Sequence, residues 1–364
     1  KLNSKGDKLE GESLIEFAQG YQAIIVGLEE ITEKIILNLK ELKLISKYGV
    51  GIDRIDLEAL KKNNVQLRFE PGINKRAVSE LTLALILNML RDTNQLHKDV
   101  LAGLWKQNKG RELSNCNVGI VGFGNIGKDL CDLIKPFSCN ISYFDLQFSE
   151  AKYNNQAVKK NSLDEIFKNS DVISIHLPLN DNTKNLFNLE RLKLMKSTAR
   201  IINVARGGII NEEDLSKALR DREIAGAAID VFMVEPINEE HPLIGAPNIL
   251  LSPHLGASTA EAKEGVSRSI CEQVRDYLLN EKLVNAVNMP ISDLSKLNEI
   301  KPFLNLSELL GRIQSQVTIG PIKKISIQCQ GSANEIKPVL LAFLKGLLEK
   351  RIPDRINYIN AETI

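Results

Sequence analysis

Val118-Gly119-Ile120-Val121 runs straight into Gly122-Phe123-Gly124-Asn125-Ile126-Gly127. A helical stretch follows from Lys128 to Ile134, and a second apolar run, Asn140 to Phe144, closes on Asp145. Strand, glycine turn, helix, strand and acid in this order leave few folds open. Gly122 allows a tight turn off the strand, Gly124 lets a backbone approach a pyrophosphate, and Gly127 lets the helix pack closely on the sheet. Free N–H groups and the positive end of the helix dipole then face the phosphates. A carboxylate at Asp145 can accept hydrogen bonds from both ribose hydroxyls and repels a 2′-phosphate, so the expected cofactor is NAD rather than NADP. The competing reading is a plain strand–turn–helix with Asp145 in a surface turn.

At 364 residues the chain implies two domains or slightly more. With 43% hydrophobic and 26% charged residues it has the composition of a globular protein. A net charge of +1 gives no electrostatic reason to expect a nucleic acid or an anionic membrane as partner. Cys116, Cys131, Cys139, Cys271 and Cys329 form no C-x-x-C pair and are odd in number. Free thiols in a reducing cytoplasm are therefore expected, and no metal site, since no His, Cys or acid cluster has ligand spacing. The longest apolar stretch, Leu81 to Leu90, is too short to span a bilayer and is interrupted by Thr82 and Asn88. No signal peptide is visible. The chain opens on Lys1 and a polar dozen residues, which suggests an excerpt of a longer one.

Apolar runs at Tyr21–Gly27, Leu42–Ser46 and Val65–Phe69, with helical segments between them, make a small α/β unit. One long helix is expected from Val78 to Leu104, bridging the lobes. Beyond Cys116, strands are expected at Asn140–Phe144, Val172–His176, Arg200–Val204, Ala225–Val231 and Ile249–Ser252. Their near-continuous Val/Ile runs imply a parallel, doubly wound sheet covered on both faces. A helix from Glu261 to Asn280 can return the chain to the first lobe. After Met289-Pro290 an α+β appendage is expected: helices at Phe303–Val317 and Pro338–Lys350, with a half-buried strand through Ile325, Ile327 and Cys329.

Open α/β sheets bind ligands beyond the carboxyl ends of their strands, and the chemistry-bearing residues follow strands here. Asn203-Val204-Ala205-Arg206-Gly207-Gly208 leaves one strand for an acidic helix start. Arg206 can grip a carboxylate with two parallel hydrogen bonds, its alternative being a surface salt bridge. Asp230 ends another strand, and Glu235-Pro236 opens the loop after it. Taken alone, Glu235 reads as a solvated loop residue rather than a catalytic one, and the same caution applies to His254. His254 follows a strand end and Pro253 and precedes Leu255-Gly256. Paired with a carboxylate it is a ready general acid–base. His176, before Leu177-Pro178-Leu179, can line an adenosine pocket, whereas His97 and His241 are taken as structural or solvent-exposed.

Gly122 to Gly127, Asp145, Ala205-Arg206-Gly207-Gly208, Glu235-Pro236 and Pro253-His254-Leu255-Gly256, in this order, closely resemble the D-isomer-specific 2-hydroxyacid dehydrogenases. The resemblance implies a doubly wound parallel Rossmann domain inserted in a smaller flavodoxin-like α/β substrate domain, plus the C-terminal α+β appendage. The expected boundaries are 1–93 and 256–287 for the substrate domain, 94–255 for the NAD-binding domain and 288–364 for the appendage. It implies Arg206, Glu235 and His254 as the catalytic set. Asn125 and Ile126 would touch the pyrophosphate, and Leu177-Pro178 the adenosine side. Val204 and Asp230 would lie near the nicotinamide, and Ala205 and Gly256 would be further cofactor contacts.

By the same resemblance, Lys47-Tyr48-Gly49-Val50-Gly51-Ile52-Asp53 matches the family's substrate turn. The amides of Val50 and Gly51 would hold a carboxylate, though alone the segment is equally a plain turn. Lys47, where an arginine is usual in members acting on a phosphorylated acid, and Asn74 would be further substrate contacts. Leu309-Leu310-Gly311-Arg312, Ile325 to Gly331, Leu344 to Leu348 and Asn357 to Ala361 resemble the intervening domain of longer members. That implies NAD-dependent oxidation of 3-phospho-D-glycerate to 3-phosphohydroxypyruvate, the first step towards L-serine, by a homodimer or homotetramer. The rivals are a sister enzyme acting on glyoxylate, hydroxypyruvate or another 2-hydroxyacid, and an NAD(H)-sensing corepressor-like binding protein.

Overall fold

The computed structural model describes residues 1–4, 6–7, 9–146, 158–280, 297–320, 322, 324–328, 336–349 and 351. They pack as two compact units, Lys1–Glu70 with Val266–Ile364, and Pro71–Gly265. Packing thus divides the chain at Glu70/Pro71 and Gly265/Val266.

In the first unit α1 (Gly11–Ala18), β1 (Ala23–Val26), α2 (Glu33–Asn38), β2 (Leu44–Lys47), α3 (Leu57–Lys62) and β3 (Gln66–Arg68) alternate. The strands form a parallel sheet in the order β1-β2-β3. Its core is aliphatic, with Leu14, Ile35, Ile36, Ile45, Leu60 and Leu67 buried together. Asp56 caps α3, its carboxylate accepting from the Ala59 amide at 2.9 Å. α10 (Ala260–Asn280) adds its later turns to this unit. Arg68, fully buried, donates to Gln273 O at 3.1 Å and stacks over the Tyr277 ring at 5.0 Å. Burial lowers the Arg68 pKa to about 10, against the Tyr277 and Asp276 charges.

α11 (Leu297–Val317) and α12 (Ile336–Leu348) pack as a pair through two glycines. A Cβ on Gly311 would stand 2.1 Å from Phe343 O, and one on Gly346 2.1 Å from Glu308 O. Only glycine permits that backbone approach. The strand expected through Ile325 is not formed across residues 324–328, which belong to no regular element. Cys329 to Gly331 and Asn357 to Ala361 lie outside the described residues.

The second unit carries a seven-stranded parallel sheet. Its strands are β4 (Asn117–Val121), β5 (Asn140–Phe144), β6 (Val158–Lys160), β7 (Val172–Ile175), β8 (Arg200–Asn203), β9 (Gly226–Ile229) and β10 (Ile249–Leu251). The order β10-β9-β8-β7-β4-β5-β6 reverses at β4, so the chain winds outward on one side and then on the other. One face is covered by α7 (Leu163–Asn169), α8 (Leu189–Leu192) and α9 (Glu212–Arg220), around Phe167, Phe187, Leu192 and Leu215. The other is covered by α4 (Lys75–Arg91) and α6 (Asn125–Ile134), through Ile86, Leu90, Leu130 and Ile134. β6 was not expected: three residues ending in two lysines give no apolar run, the usual dress of an edge strand.

The helix expected as one rod from Val78 to Leu104 is two, α4 and α5 (Thr93–Leu101). Asp92 between them has φ 54. Asp92-Thr93-Asn94 joins three weak helix formers, and aspartate tolerates the left-handed region better than most residues. Apolar spacing on both sides hid that break. Cys116, Cys131, Cys139 and Cys271 are free thiols. Among the described residues no helix is long and apolar enough to cross a membrane.

Candidate active site

The reversal at β4 places the carboxyl ends of β4 and β7 side by side, and the glycine turn sits on that seam. Gly122 has φ +96, and a Cβ there would meet His176 O at 2.5 Å. A Cβ on Gly127 would lie 2.2 Å from Gly122 O, so α6 can close on the turn only without a side chain. Gly124 caps α6, and nothing stands within 4 Å of its missing Cβ. The cradle is therefore shut towards the sheet and open where a phosphate would approach. Asp145 Oδ2 accepts from the Phe123 amide at 2.7 Å, which holds the carboxylate beside the turn. Asn125 is exposed and Ile126 half-buried on the first turn of α6. Closed sheet side, open helix terminus and adjacent acid fit a dinucleotide.

His176 follows β7, with Nε2 against Ser174 Oγ at 2.9 Å and a buried Nδ1. Burial pulls its pKa to about 3, so the ring is neutral. Leu177 packs on the sheet core, and exposed Pro178 accepts from Thr183 Oγ1 at 2.6 Å. Val204 and Ala205 are buried, one against each face of the sheet.

Arg206, Glu235 and His254 come from the loops after β8, β9 and β10. Asn203 shapes the first loop: its Oδ1 accepts from the Ala205 amide at 3.1 Å and its Nδ2 donates to Arg206 O at 2.9 Å. Gly207 then runs against the next loop, since a Cβ there would lie 1.9 Å from the Phe232 carbonyl carbon. The loops after β8 and β9 are thus in backbone contact. Glu235 Oε1 accepts from the Phe232 amide at 2.9 Å, turning the carboxylate inward.

His254 Nδ1 lies 2.8 Å from Glu235 Oε2. An ionised carboxylate only accepts, so Nδ1 carries the proton and a neutral ring presents its lone pair on Nε2. That hydrogen bond raises the His254 pKa above the ordinary histidine value, against partial burial. The charges of Glu235 and Asp230 add to the rise, and Arg206 opposes it. The side chain stays 45% exposed, leaving it accessible to a substrate.

Asp230, expected beside the nicotinamide, and Gly256, expected among the cofactor contacts, are bonded to each other. The buried Asp230 carboxylate accepts from Ser252 Oγ at 2.5 Å, Leu255 N at 2.8 Å and Gly256 N at 2.9 Å. It also sits under His254, whose amide donates to Asp230 O at 2.9 Å. Asp230 therefore staples the loop that presents the imidazole, a role its place at a strand end did not announce. Asn74, 6% exposed, precedes α4 in this unit. Lys47, Val50 and Gly51 belong to the first unit. There the buried Lys47 ammonium donates to Gly27 O and to Tyr48 O, the latter at 2.9 Å, so it ties the ends of β1 and β2. Among the described residues no group of three or more His, Cys, Asp or Glu could hold a metal ion.

Residues 83–256 match the NAD binding domain of the D-isomer specific 2-hydroxyacid dehydrogenases, and the chain belongs to that family. Its cofactor is NAD. Residues 299–364 match the D-3-phosphoglycerate dehydrogenase intervening domain. The chain is 36% identical to the D-3-phosphoglycerate dehydrogenase of Synechocystis sp. over 354 residues, 96% of this chain and 64% of that protein. It thus spans a little under two thirds of that relative's length. It is 34% identical to the glyoxylate reductase of Thermofilum pendens, covering 80% of this chain and 88% of that one. Among solved structures it resembles the NAD-dependent formate dehydrogenase of Staphylococcus aureus in complex with NAD. The TM-score is 0.70 at 28% identity, over 78% of this chain and 86% of that one.

Proposed function

We propose that the chain is the dehydrogenase portion of a D-3-phosphoglycerate dehydrogenase, oxidising 3-phospho-D-glycerate to 3-phosphohydroxypyruvate as the first step towards L-serine. The observation that carries the reading is the His254 Nδ1–Glu235 Oε2 bond of 2.8 Å, with Arg206 on the adjoining loop. The match of the C-terminal segment to the D-3-phosphoglycerate dehydrogenase intervening domain supports this choice of substrate.

NAD, held at Gly122–Gly127 and Asp145, supplies the hydride acceptor when bound. Neutral His254 takes the substrate's hydroxyl proton at Nε2. Glu235, bonded to Nδ1, stabilises the imidazolium that forms and keeps the ring in the tautomer the task needs. Arg206 grips the substrate carboxylate through two parallel N–H donors, which fixes the acid's orientation. The resemblance adds Lys47, Val50, Gly51 and Asn74 as substrate contacts. General acid–base help of this kind contributes roughly 10²–10⁴-fold to rate. Replacing His254 with alanine should remove about that factor from kcat while leaving NADH affinity unchanged. Near-normal turnover in that variant would end the assignment.

A second reading is favoured by Lys47, whose ammonium is engaged with Gly27 O and Tyr48 O. A lysine so occupied is a poor phosphate ligand, which suits an unphosphorylated acid such as glyoxylate or hydroxypyruvate. Initial rates across phosphorylated and unphosphorylated 2-hydroxyacids separate the two readings.

A further inference from the structure

The loop after β9 carries Glu235, reaches His254 through it and backs Gly207 beside Arg206, and one carboxylate outside the candidate set holds it. Glu212, the first residue of α9, accepts from the Met233 amide through Oε1 at 2.8 Å. Its Oε2 lies 3.0 Å from His241 Nε2. The Leu243 amide reaches His241 Nδ1 at 3.4 Å, so both ring nitrogens are satisfied when Nε2 carries the proton. The same ring meets Phe232 edge-on, with centroids 5.5 Å apart and planes at 87°. The Phe232 amide in turn donates to Glu235, and Glu235 accepts from His254. His241, Glu212, the Phe232–Met233 backbone, Glu235 and His254 therefore form one connected chain. α9 is a rigid base for it: Asn211 caps the helix by accepting from Asp214 N at 3.0 Å, and the acidic first turn suits the helix dipole.

We propose that Glu212 is a positioning residue for the reaction, acting with His241 to fix the 232–235 loop and, through it, the Glu235–His254 bond. This rests on the reading of His254 as the proton acceptor. Glu212 touches none of the reacting groups in that scheme. It sets where the Glu235 carboxylate stands, and a displacement on the order of 1 Å in such a constellation can cost about 100-fold in rate. The loop also backs Gly207, so the Arg206 turn depends on the same anchor.

The test compares Glu212→Ala with Glu212→Gln. Both remove the charge, but glutamine keeps an acceptor for the Met233 amide. The titratable and charged groups facing His254 are Glu235, Asp230 and Arg206. Two readouts are taken: kcat with the preferred 2-hydroxyacid, and the His254 titration by NMR, assigned by its loss in His254→Ala. Glu212→Ala should lower kcat about 10-fold or more. It should also move the His254 titration to lower pH, with the KM for NAD unchanged, while Glu212→Gln, which keeps the Met233 bond but sets its NH2 against the His241 N–H, shifts both less. Equal shifts in the two variants would make the effect one of charge alone and overturn the proposal, as would an unmoved titration in Glu212→Ala. If Glu212→Ala does not fold, His241→Leu serves in its place, with the same direction expected and an unmoved titration equally contrary. A wild-type chain inert on every 2-hydroxyacid, whose His254 titration still responds to Glu212→Ala, supports the positioning and contradicts the proposed function instead.

Discussion

Asp230 and His254 are bound to one another without touching through their side chains: the His254 amide donates to Asp230 O, while the Asp230 carboxylate collects Ser252 Oγ, Leu255 N and Gly256 N. The imidazole is thus aimed by a buried acid on the neighbouring strand end, and His254 itself takes φ 55 to make the turn. Replacing Asp230 with alanine leaves three donors without their acceptor. Unpaired buried donors of this kind cost about 1–3 kcal/mol each when water cannot reach them. Asp230→Ala should therefore lower Tm by several degrees and weaken turnover. Calorimetry beside an assay checks it, and an unchanged Tm would count against the staple.

In the proposed mechanism Glu235 governs the pH dependence. Its hydrogen bond raises the His254 pKa, so the neutral base needed for oxidation emerges above the ordinary histidine value of about 6.5. Glu235→Gln should move the acid limb of kcat/KM for oxidation down, towards about 6.5. In the reducing direction the proton donor is imidazolium, so the same variant should lose activity at a lower pH than wild type. Parallel pH profiles in both directions test the sign, since opposite movement of the two limbs is incompatible with a single titrating base.

Asp145 is the residue we propose to set cofactor choice. A carboxylate fixed beside the glycine turn by the Phe123 amide favours ribose hydroxyls and disfavours a 2′-phosphate. Hydrogen bonds to a charged group are worth about 1.5–3 kcal/mol, so Asp145→Ser should weaken NAD about tenfold or more and narrow its advantage over NADP. Fluorescence titration with the two reduced cofactors reads this, and an unchanged ratio would remove Asp145 from the site.

Gly127 is where helix and turn meet most closely. Gly127→Val forces a side chain into the Gly122 carbonyl and should destabilise the second unit by about 1–3 kcal/mol or more. Thermal shift with added NAD should then show little protection, whereas wild type is protected by ligand binding.

α5 buries none of its residues; Leu101 at its end and Trp105 beyond it are 75% and 83% exposed. We propose that this surface is an interaction face. The homodimer implied by the family resemblance would cover it. Trp105→Glu with Leu101→Glu should shift the sedimentation coefficient from dimer to monomer, and the only tryptophan of the chain makes blue-shifted emission in the native protein a second readout.

Much of this was legible in the sequence because each feature is local. A glycine turn after an apolar run, an arginine before two glycines and a histidine after a proline declare themselves in short windows. The strands of the second sheet, β6 excepted, did so too, since burial on both faces leaves near-continuous apolar runs. What stayed hidden was relational. Glu212 and Met233 are neighbours only because β8 and β9 are adjacent in the sheet, and His241 in isolation is an ordinary loop histidine. Lys47 carried the right charge for an anion, yet its donors are directed to carbonyls nearby. The break at Asp92 was visible in composition but was outweighed by helical spacing on either side.

The most direct test is the initial rate of NADH formation from 3-phospho-D-glycerate and NAD⁺, in wild type and in His254→Ala. The account predicts turnover in wild type that falls roughly 10²–10⁴-fold in the variant, with NADH binding unchanged. Equal rates in the two proteins, or no wild-type rate on this acid or any other 2-hydroxyacid, would contradict it.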